Sequence, residues 1–188
     1  LKSRQDLRHL PFVTIDGETA RDFDDAVTLQ REANHFRLHV AIADVSHYVS
    51  EEGTIDQSAY ERGTSVYFPG FCIPMLPEKL SNDVCSLKPD VDRLVMVAEI
   101  LFDAAGLRLE ADFYPAVIKS QGRLTYTQVQ KYLQQPDNLS TEKATAPLAQ
   151  LPQMLELSKA LTAQRTQRGS LELDIPEAEA VLDNSGNL

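Results

Sequence analysis

The sequence has few of the residues that disulfide frameworks, zinc sites and membrane spans need. Its two cysteines, Cys72 and Cys85, form no CxxC pair and have no histidine partners at zinc-site spacing. We therefore predict that both are reduced core residues. No apolar run approaches the roughly 20 residues that span a bilayer, and residues 1–10 lack the apolar stretch of a signal peptide. We expect a cytoplasmic protein with no membrane partner.

Basic residues are also scarce. The 188 residues include 18 Lys and Arg against 28 Asp and Glu, a formal net charge of −10 at pH 7. Domains that bind nucleic acid by neutralising phosphates usually carry a basic face, so this balance argues against such a surface. The argument weakens if the acidic residues surround a divalent cation, because a bound ion reverses the sign of the local field.

The pattern of apolar residues indicates one α+β domain. A hydrophobic content of 43% in 188 residues is enough for one substantial core. We expect a largely antiparallel sheet, with helices concentrated in the second half of the chain. Predicted strands cover residues 12–15, 26–30, 36–45, 93–103, 107–120 and 171–175, with hairpin turns at 32–34 and 104–106 and a further turn at 183–187; predicted helices cover 56–62, 125–134 and 148–168.

Residues 65–87 are apolar but irregular. Three prolines, Pro69, Pro74 and Pro77, preclude a long helix or a central strand there. Irregular apolar segments of this kind are often shaped by a functional site over which they pack.

Five acidic residues lie within ten positions, between two apolar strands that anchor both ends of the loop. If several converge to about 5 Å, each like-charged pair costs on the order of 3 kcal/mol at an effective dielectric of 20, so a convergent cluster needs a cation. Carboxylate oxygens suit magnesium or manganese rather than zinc or copper. Two such ions about 3.5–4 Å apart cleave phosphodiesters by in-line attack of a metal-activated water. The five residues are Asp16, Glu18, Asp22, Asp24 and Asp25.

An acidic loop can also be a solvated turn or a calcium-binding EF-hand loop. A solvated acidic turn without a metal is the alternative that the residues alone leave open. An EF-hand is excluded, because a loop starting at Asp16 has Arg21 where glycine is needed and Val27 where the final glutamate is needed.

Four sequence blocks carry a resemblance to a known family. They read TIDGETARDFDDAVTL, HVAIADVSHYV, GTSVYFPGFCIPMLPEKLSNDVCSLKPDVDRL and QGRLTYTQV. In order and spacing they resemble the signature blocks of the ribonuclease II/ribonuclease R catalytic domain, the RNB domain, over residues 10–133. The resemblance implies a magnesium-dependent hydrolase, with manganese as a substitute, that degrades single-stranded RNA from its 3′ end and releases nucleoside 5′-monophosphates.

The resemblance also implies roles for individual residues. Asp16, Asp22 and Asp25 match the metal ligands of the family, and Asp24 matches the carboxylate most critical for turnover. The three residues that match or suit RNA contacts are Tyr67, which packs on the terminal nucleotide, Tyr126, which stacks on a base, and Arg21, which contacts phosphate or pairs within the loop. We expect Asp44 to support the loop by hydrogen bonding, and His39 and His47 to be structural.

We expect residues 1–188 to be the N-terminal portion of such a catalytic domain, truncated at both ends relative to its parent. The family's catalytic arginine, a further glutamate and the S1 domain would follow it, and cold-shock-like domains would precede it. The fragment would then carry part of an active site and be inactive alone. Two alternatives are a non-cleaving RNA-binding or regulatory module of the same fold, and a cation-binding structural domain without a nucleic-acid partner.

Overall fold

The computed structural model describes residues 3–68, 71–134 and 146–171. The strands are β1 (Gln5–Asp6), β2 (Val13–Asp16), β3 (Asp25–Glu32), β4 (His35–Ala43), β5 (Val66–Phe68), β6 (Phe71–Ile73), β7 (Asp92–Asp103), β8 (Arg108–Lys119) and β9 (Gly122–Thr125). The helices are α1 (Thr54–Arg62), α2 (Tyr126–Gln134), α3 (Ala146–Ala149) and α4 (Leu151–Gln167), with a short 3-10 turn at Val45–His47 and a π-helical turn at Leu80–Val84.

Seven strands form one mixed sheet in the order β1-β8-β7-β4-β3-β2-β9. The central pairs are antiparallel, whereas the two outer pairs, β1 with β8 and β2 with β9, are parallel. The α+β prediction, with a largely antiparallel sheet and three of the four helices in the second half, is confirmed. In the parallel pair, Asp16 lies opposite Thr125, so the carboxyl ends of β2 and β9 meet at one edge.

Both predicted hairpins of the main sheet are present. The β3–β4 turn uses Ala33 at a φ of 52°, and the β7–β8 turn uses Gly106 at a φ of 80°. A Cβ on Gly106 would lie 2.9 Å from the carbonyl carbon of Ala160 in α4. Glycine is therefore required at residue 106 both by the backbone conformation and by the close approach of the helix.

The two faces of the sheet are covered differently. On one face, Phe12, Ala41 and Val97 pack with the segment around Leu87. On the other face, α4 packs on one end of the sheet; this cluster consists of Leu29, Phe36, Phe102 and Leu157, with Met154 and Leu161 against it. The 154, 157, 161 spacing is that of one helix face.

The side chain of Gln150, just before α4, fastens the helix to the sheet. Its amide oxygen accepts hydrogen bonds from the Thr28 hydroxyl at 3.0 Å and the Leu29 N–H at 2.8 Å. Its amide nitrogen donates to the Pro11 carbonyl at 2.7 Å. Because Gln150 is buried, these bonds satisfy polar atoms that would otherwise be costly.

Several predictions for single elements needed correction. Cys85 is a buried thiol as predicted, but the prediction for Cys72 is wrong, because that side chain is only half-buried on β6. The described residues of the segment 65–87, which are 65–68 and 71–87, form no long helix or central strand, yet β5 and β6 pair as an antiparallel two-stranded sheet. The strand predicted at 171–175, apart from residue 171, and the turn at 183–187 lie outside the described residues. Within the described ranges, no helix is long and apolar enough to cross a membrane.

Candidate active site

The acidic loop connects β2 to β3 and is fixed to the protein from its middle. Phe23 is buried between two acidic neighbours. Its N–H donates to the Ser86 hydroxyl at 3.1 Å, and its carbonyl accepts from the Leu87 N–H at 2.8 Å. The Ala43 N–H donates to the Asp24 carbonyl at 2.9 Å. These bonds hold the loop backbone on the outer ends of β4 and the segment before β7.

The four predicted aspartates lie close enough for the charges of Asp22 and Asp25 to act on the carboxyl groups of Asp16 and Asp24. The pKa of Asp16 is raised above its usual value by burial, then by the charges of Asp25 and Asp22. The pKa of Asp24 is raised by desolvation, although the residue keeps contact with solvent, and then by Asp22, Asp25 and Asp16. The fields of these four carboxylates therefore overlap, as expected for groups that share one cation.

The fifth acidic residue behaves differently. The pKa of Glu18 is lowered, chiefly by a hydrogen bond from the Thr127 hydroxyl, and its charge is not among the causes that raise the pKa of Asp16 or Asp24. The interacting set is thus the four aspartates, without Glu18.

The donor chemistry of this set fits a hard divalent cation, because it consists of carboxylates that repel one another. In the described part of the chain, no three His, Cys, Asp or Glu side chains already stand in an arrangement that would hold a metal ion. Binding an ion would therefore require the aspartate carboxylates to stand closer together. The three predicted metal ligands, which would hold it, are Asp16, Asp22 and Asp25.

A cleft of about 750 Å³ separates the acidic loop from the two-stranded β5–β6 sheet. Tyr67 reaches across it, and its hydroxyl donates to Asp22 Oδ2 at 3.1 Å. Burial and then this bond raise the pKa of the Tyr67 phenol. Arg21, predicted to contact RNA, is exposed and also lines the cleft. The structure thus brings Tyr67 and Arg21 to the cleft that Asp22 also lines.

Two further aromatic side chains line this cleft and were missed by the sequence analysis. Phe68 and Phe71 stack with ring centroids 4.8 Å apart, yet Phe71 is 60% exposed. The signal was present as two apolar triplets of residues that favour strands, VYF and FCI, on either side of a Pro-Gly pair. Exposed aromatic faces beside a cleft offer stacking surfaces for planar ligands.

Tyr126 is placed by β9. It follows Thr125, the residue opposite Asp16, and its side chain is 63% exposed. The parallel pairing therefore carries Tyr126 to the edge of the sheet where β2 ends, although it is not among the residues that line the cleft.

Asp44 does not support the acidic loop by its side chain, so that prediction is wrong. Its carboxylate is buried and accepts hydrogen bonds from Arg4 at 2.5 Å and from the Ser46 hydroxyl at 2.8 Å. Burial opposes ionisation, but these two bonds outweigh it and hold the pKa of Asp44 below its usual value. His39 is buried against Phe12, and burial lowers its pKa, as suits the structural role expected for it.

Comparisons with known proteins identify the family and the fold. A family model described as the RNB domain matches residues 4–188. Ribonuclease R of Mycoplasmopsis pulmonis is 44% identical over 185 residues, 98% of this chain and 25% of that protein, and ribonuclease R of Escherichia coli is 48% identical over 182 residues, 96% of this chain and 22% of that protein. Mycoplasma genitalium RNase R, solved in complex with ribose methylated single-stranded RNA, superposes with a TM-score of 0.92 at 40% identity, covering 99% of this chain and 29% of that one. The chain spans about a quarter of the length of the curated relatives it matches.

Proposed function

The chain belongs to the RNB domain family, and on that basis we propose that it carries the metal-binding carboxylates of a hydrolytic 3′-to-5′ exoribonuclease. The proposed substrate is single-stranded RNA, and the proposed products are nucleoside 5′-monophosphates. The proposed cofactor is Mg²⁺, for which Mn²⁺ would substitute. The observation that carries the proposal is that the charges of three aspartates raise the pKa of the fourth, Asp24, beside a cleft lined by aromatic side chains.

The four aspartates have two different proposed roles, three as metal ligands and one in orienting the attacking water. Asp16 ends β2 and Asp25 begins β3, so two of the three proposed ligands stand on strand ends, where the sheet limits their movement. Asp22 is the third ligand, and Asp24 orients the attacking water. A metal held by these residues would lower the pKa of a water molecule and stabilise the leaving oxygen.

The aromatic side chains of the cleft hold the RNA end without reading its sequence. Base stacking on an aromatic ring contributes about 1–3 kcal/mol per base and is sequence-tolerant, because every base has a π-face. Tyr67 is the proposed platform for the terminal nucleotide, since its ring is 67% exposed while its hydroxyl is tied to Asp22. Tyr126 stacks on a base further along the strand.

The test is digestion of 5′-labelled single-stranded RNA by the longest polypeptide that contains this chain. With Mg²⁺ we expect progressive shortening from the 3′ end and nucleoside 5′-monophosphates by chromatography; with EDTA both should stop. Asp24→Asn should lower kcat by at least about 10²-fold, because it removes the carboxylate that acts on the attacking water. Its affinity for RNA should stay close to that of the wild type.

Three outcomes contradict parts of this proposal. RNA retention without Mg²⁺-dependent cleavage would favour the non-cleaving module. Neither retention nor cleavage would favour a structural cation-binding domain. A loss of RNA affinity in Asp24→Asn as large as the loss of kcat would contradict the role assigned to Asp24.

A further inference from the structure

One arginine outside the acidic loop holds the loop's backbone. The Nη2 atom of Arg123 in β9 lies 2.7 Å from the Glu18 carbonyl oxygen and 3.1 Å from that of Gly17, with the Ala20 carbonyl at 3.5 Å. The first two are hydrogen bonds of ordinary length and the third is weak. A single guanidinium thus gathers the carbonyl groups of the first half of the loop.

The position of this guanidinium is set by the sheet and by one buried ring. Arg123 lies opposite Thr14 in the parallel β2–β9 pair, so it stands beside the strand that leads into the loop. Its Cζ atom lies 5.3 Å from the centre of the Phe23 ring, a cation–π distance. Since Phe23 is buried between Asp22 and Asp24, the same side chain contacts both halves of the loop.

Burying part of the Arg123 side chain has a cost in free energy. Its Nε is buried and has no hydrogen-bond partner among the residues that the structure describes. An unpaired buried donor costs about 1–3 kcal/mol, so the bonds to the loop carbonyls and the contact with the ring must more than offset that. Because Nη2 donates to backbone carbonyl groups of the loop, the guanidinium of Arg123 is bound to the loop.

We propose that Arg123 is a positioning residue, which fixes the backbone of residues 17–20 and thereby the direction in which Asp16 and Asp22 present their carboxylates to the metal. The part of this inference that concerns the metal rests on the proposed function; the part that concerns loop order does not. A planar guanidinium suits this task, because it presents several N–H groups in a rigid fork, which lysine cannot reproduce.

The first experiment measures loop order directly by hydrogen–deuterium exchange of the amides of residues 17–22. Arg123→Met keeps an unbranched side chain as far as the position of Nε but removes the guanidinium donors, so exchange there should accelerate roughly tenfold, as expected for the loss of one to two hydrogen bonds. Arg31→Met is the matched control, because Arg31 also covers a phenylalanine, Phe36 at 4.7 Å, but pairs with Glu156 in α4. Exchange in the loop should be unchanged in that variant.

The second experiment measures the affinity for Mn²⁺ alone by isothermal titration calorimetry. Arg123→Met should weaken it by about 10–100-fold, the range typical of partners that orient metal ligands. Arg123→Lys keeps the positive charge but lacks the planar guanidinium. Its loop exchange rate and its affinity for Mn²⁺ should both lie between those of the wild type and those of Arg123→Met. If Arg123→Met fails to fold by circular dichroism, the comparison of Arg123→Lys with the wild type decides.

The outcomes separate this inference from the proposed function. If the wild type binds Mn²⁺ and cleaves RNA while the Arg123 variants match it in loop exchange and affinity, Arg123 is not a positioning residue and the proposed function stands. If the wild type neither binds Mn²⁺ nor cleaves RNA but the variants loosen the loop, the proposed function fails and the ordering role of Arg123 stands.

Discussion

Asp44 illustrates, at the scale of single residues, how this fold accommodates a buried charge. Its side chain is 5% exposed and its partner Arg4 is 13% exposed. Arg4 also donates to the Val95 carbonyl at 3.3 Å, so one guanidinium ties the start of the chain to β7 and to the end of β4. Such a pair adds little to stability compared with apolar residues of the same shape, but breaking it leaves an uncompensated charge.

We therefore predict that Arg4→Met lowers the free energy of unfolding by about 3–5 kcal/mol at pH 7, measured by urea titration. The effect should depend on pH. Because the pKa of Asp44 is held below its usual value of 3.8, the unfolded chain takes up this proton at a higher pH than the folded one. The contribution of the pair is thus present above about pH 4 and is lost as the pH falls below it.

The control for this prediction is Arg4→Met combined with Asp44→Asn. Without the carboxylate, the loss at pH 7 should be smaller and should vary less with pH. An equal loss for Arg4→Met at pH 7 and at pH 3 would show that the stabilisation comes from packing of the Arg4 side chain rather than from the ion pair.

At the scale of elements, α4 covers only part of one face of the sheet. Phe36 lies opposite Phe102 in the β4–β7 pair, and Phe113 lies opposite Ala98 in the β7–β8 pair. Because residues 98 and 102 of β7 are four positions apart, they lie on the same face of the sheet, and so do Phe36 and Phe113. Phe36 is fully buried under α4, whereas Phe113 is 72% exposed. Both residues are phenylalanines on the same face of the sheet, and they differ in that α4 covers Phe36 but not Phe113.

Phe36→Ala should therefore lower the free energy of unfolding by about 3–5 kcal/mol, the cost of a cavity in the core. Phe113→Ala should change it by less than about 1 kcal/mol, as surface substitutions usually do. Urea unfolding followed by circular dichroism measures both. Similar losses in the two variants would mean that the Phe113 ring is covered in solution.

The elements also show which features were predictable from sequence. The β3–β4 and β7–β8 hairpins were predicted because alternation and turn residues are local signals. The acidic loop was predicted because its five carboxylates are close together in the sequence, whereas the choice of four aspartates among them came from the family resemblance. The β2–β9 pairing was not, because it joins residues about 110 positions apart and no local pattern specifies which strand lies beside β2. The contact between Arg123 and the acidic loop was missed for the same reason, since it depends on the position of β9 beside β2.

At the scale of the whole molecule, the negative net charge and the acidic loop both make it unfavourable to ionise further carboxyl groups. With a formal net charge of −10, the chain offers little compensation for four aspartates whose fields overlap. The raised pKa values of Asp16 and Asp24 mean that ionising them costs more in the folded state than in the unfolded one. At neutral pH these two carboxylates therefore destabilise the metal-free fold, and their unfavourable contribution should shrink as the pH falls toward those pKa values. Carboxyls with lowered pKa values, such as Asp44, contribute in the opposite direction.

This argument predicts a trade-off between stability and metal binding. Mg²⁺ at 100 times its Kd should stabilise the wild type by about 2.7 kcal/mol, which for a domain of this size raises the Tm by roughly 5–10 °C. Asp16→Asn should melt higher than the wild type in EDTA, because it removes one repelling charge, but should lose most of the increase in Mg²⁺. Glu110→Gln, an equal charge change at an exposed position of β8, should keep that increase.

Melting curves followed by circular dichroism in EDTA and in MgCl₂, with ionic strength matched by NaCl, measure both effects. Matching is necessary because salt alone screens the repulsion among exposed carboxylates. If Asp16→Asn melted below the wild type in EDTA and still gained the full increase in Mg²⁺, Asp16 would neither repel its neighbours nor share an ion with them. The loop would then be the solvated acidic turn that its residues alone also allow, and the catalytic proposal would lose its electrostatic basis.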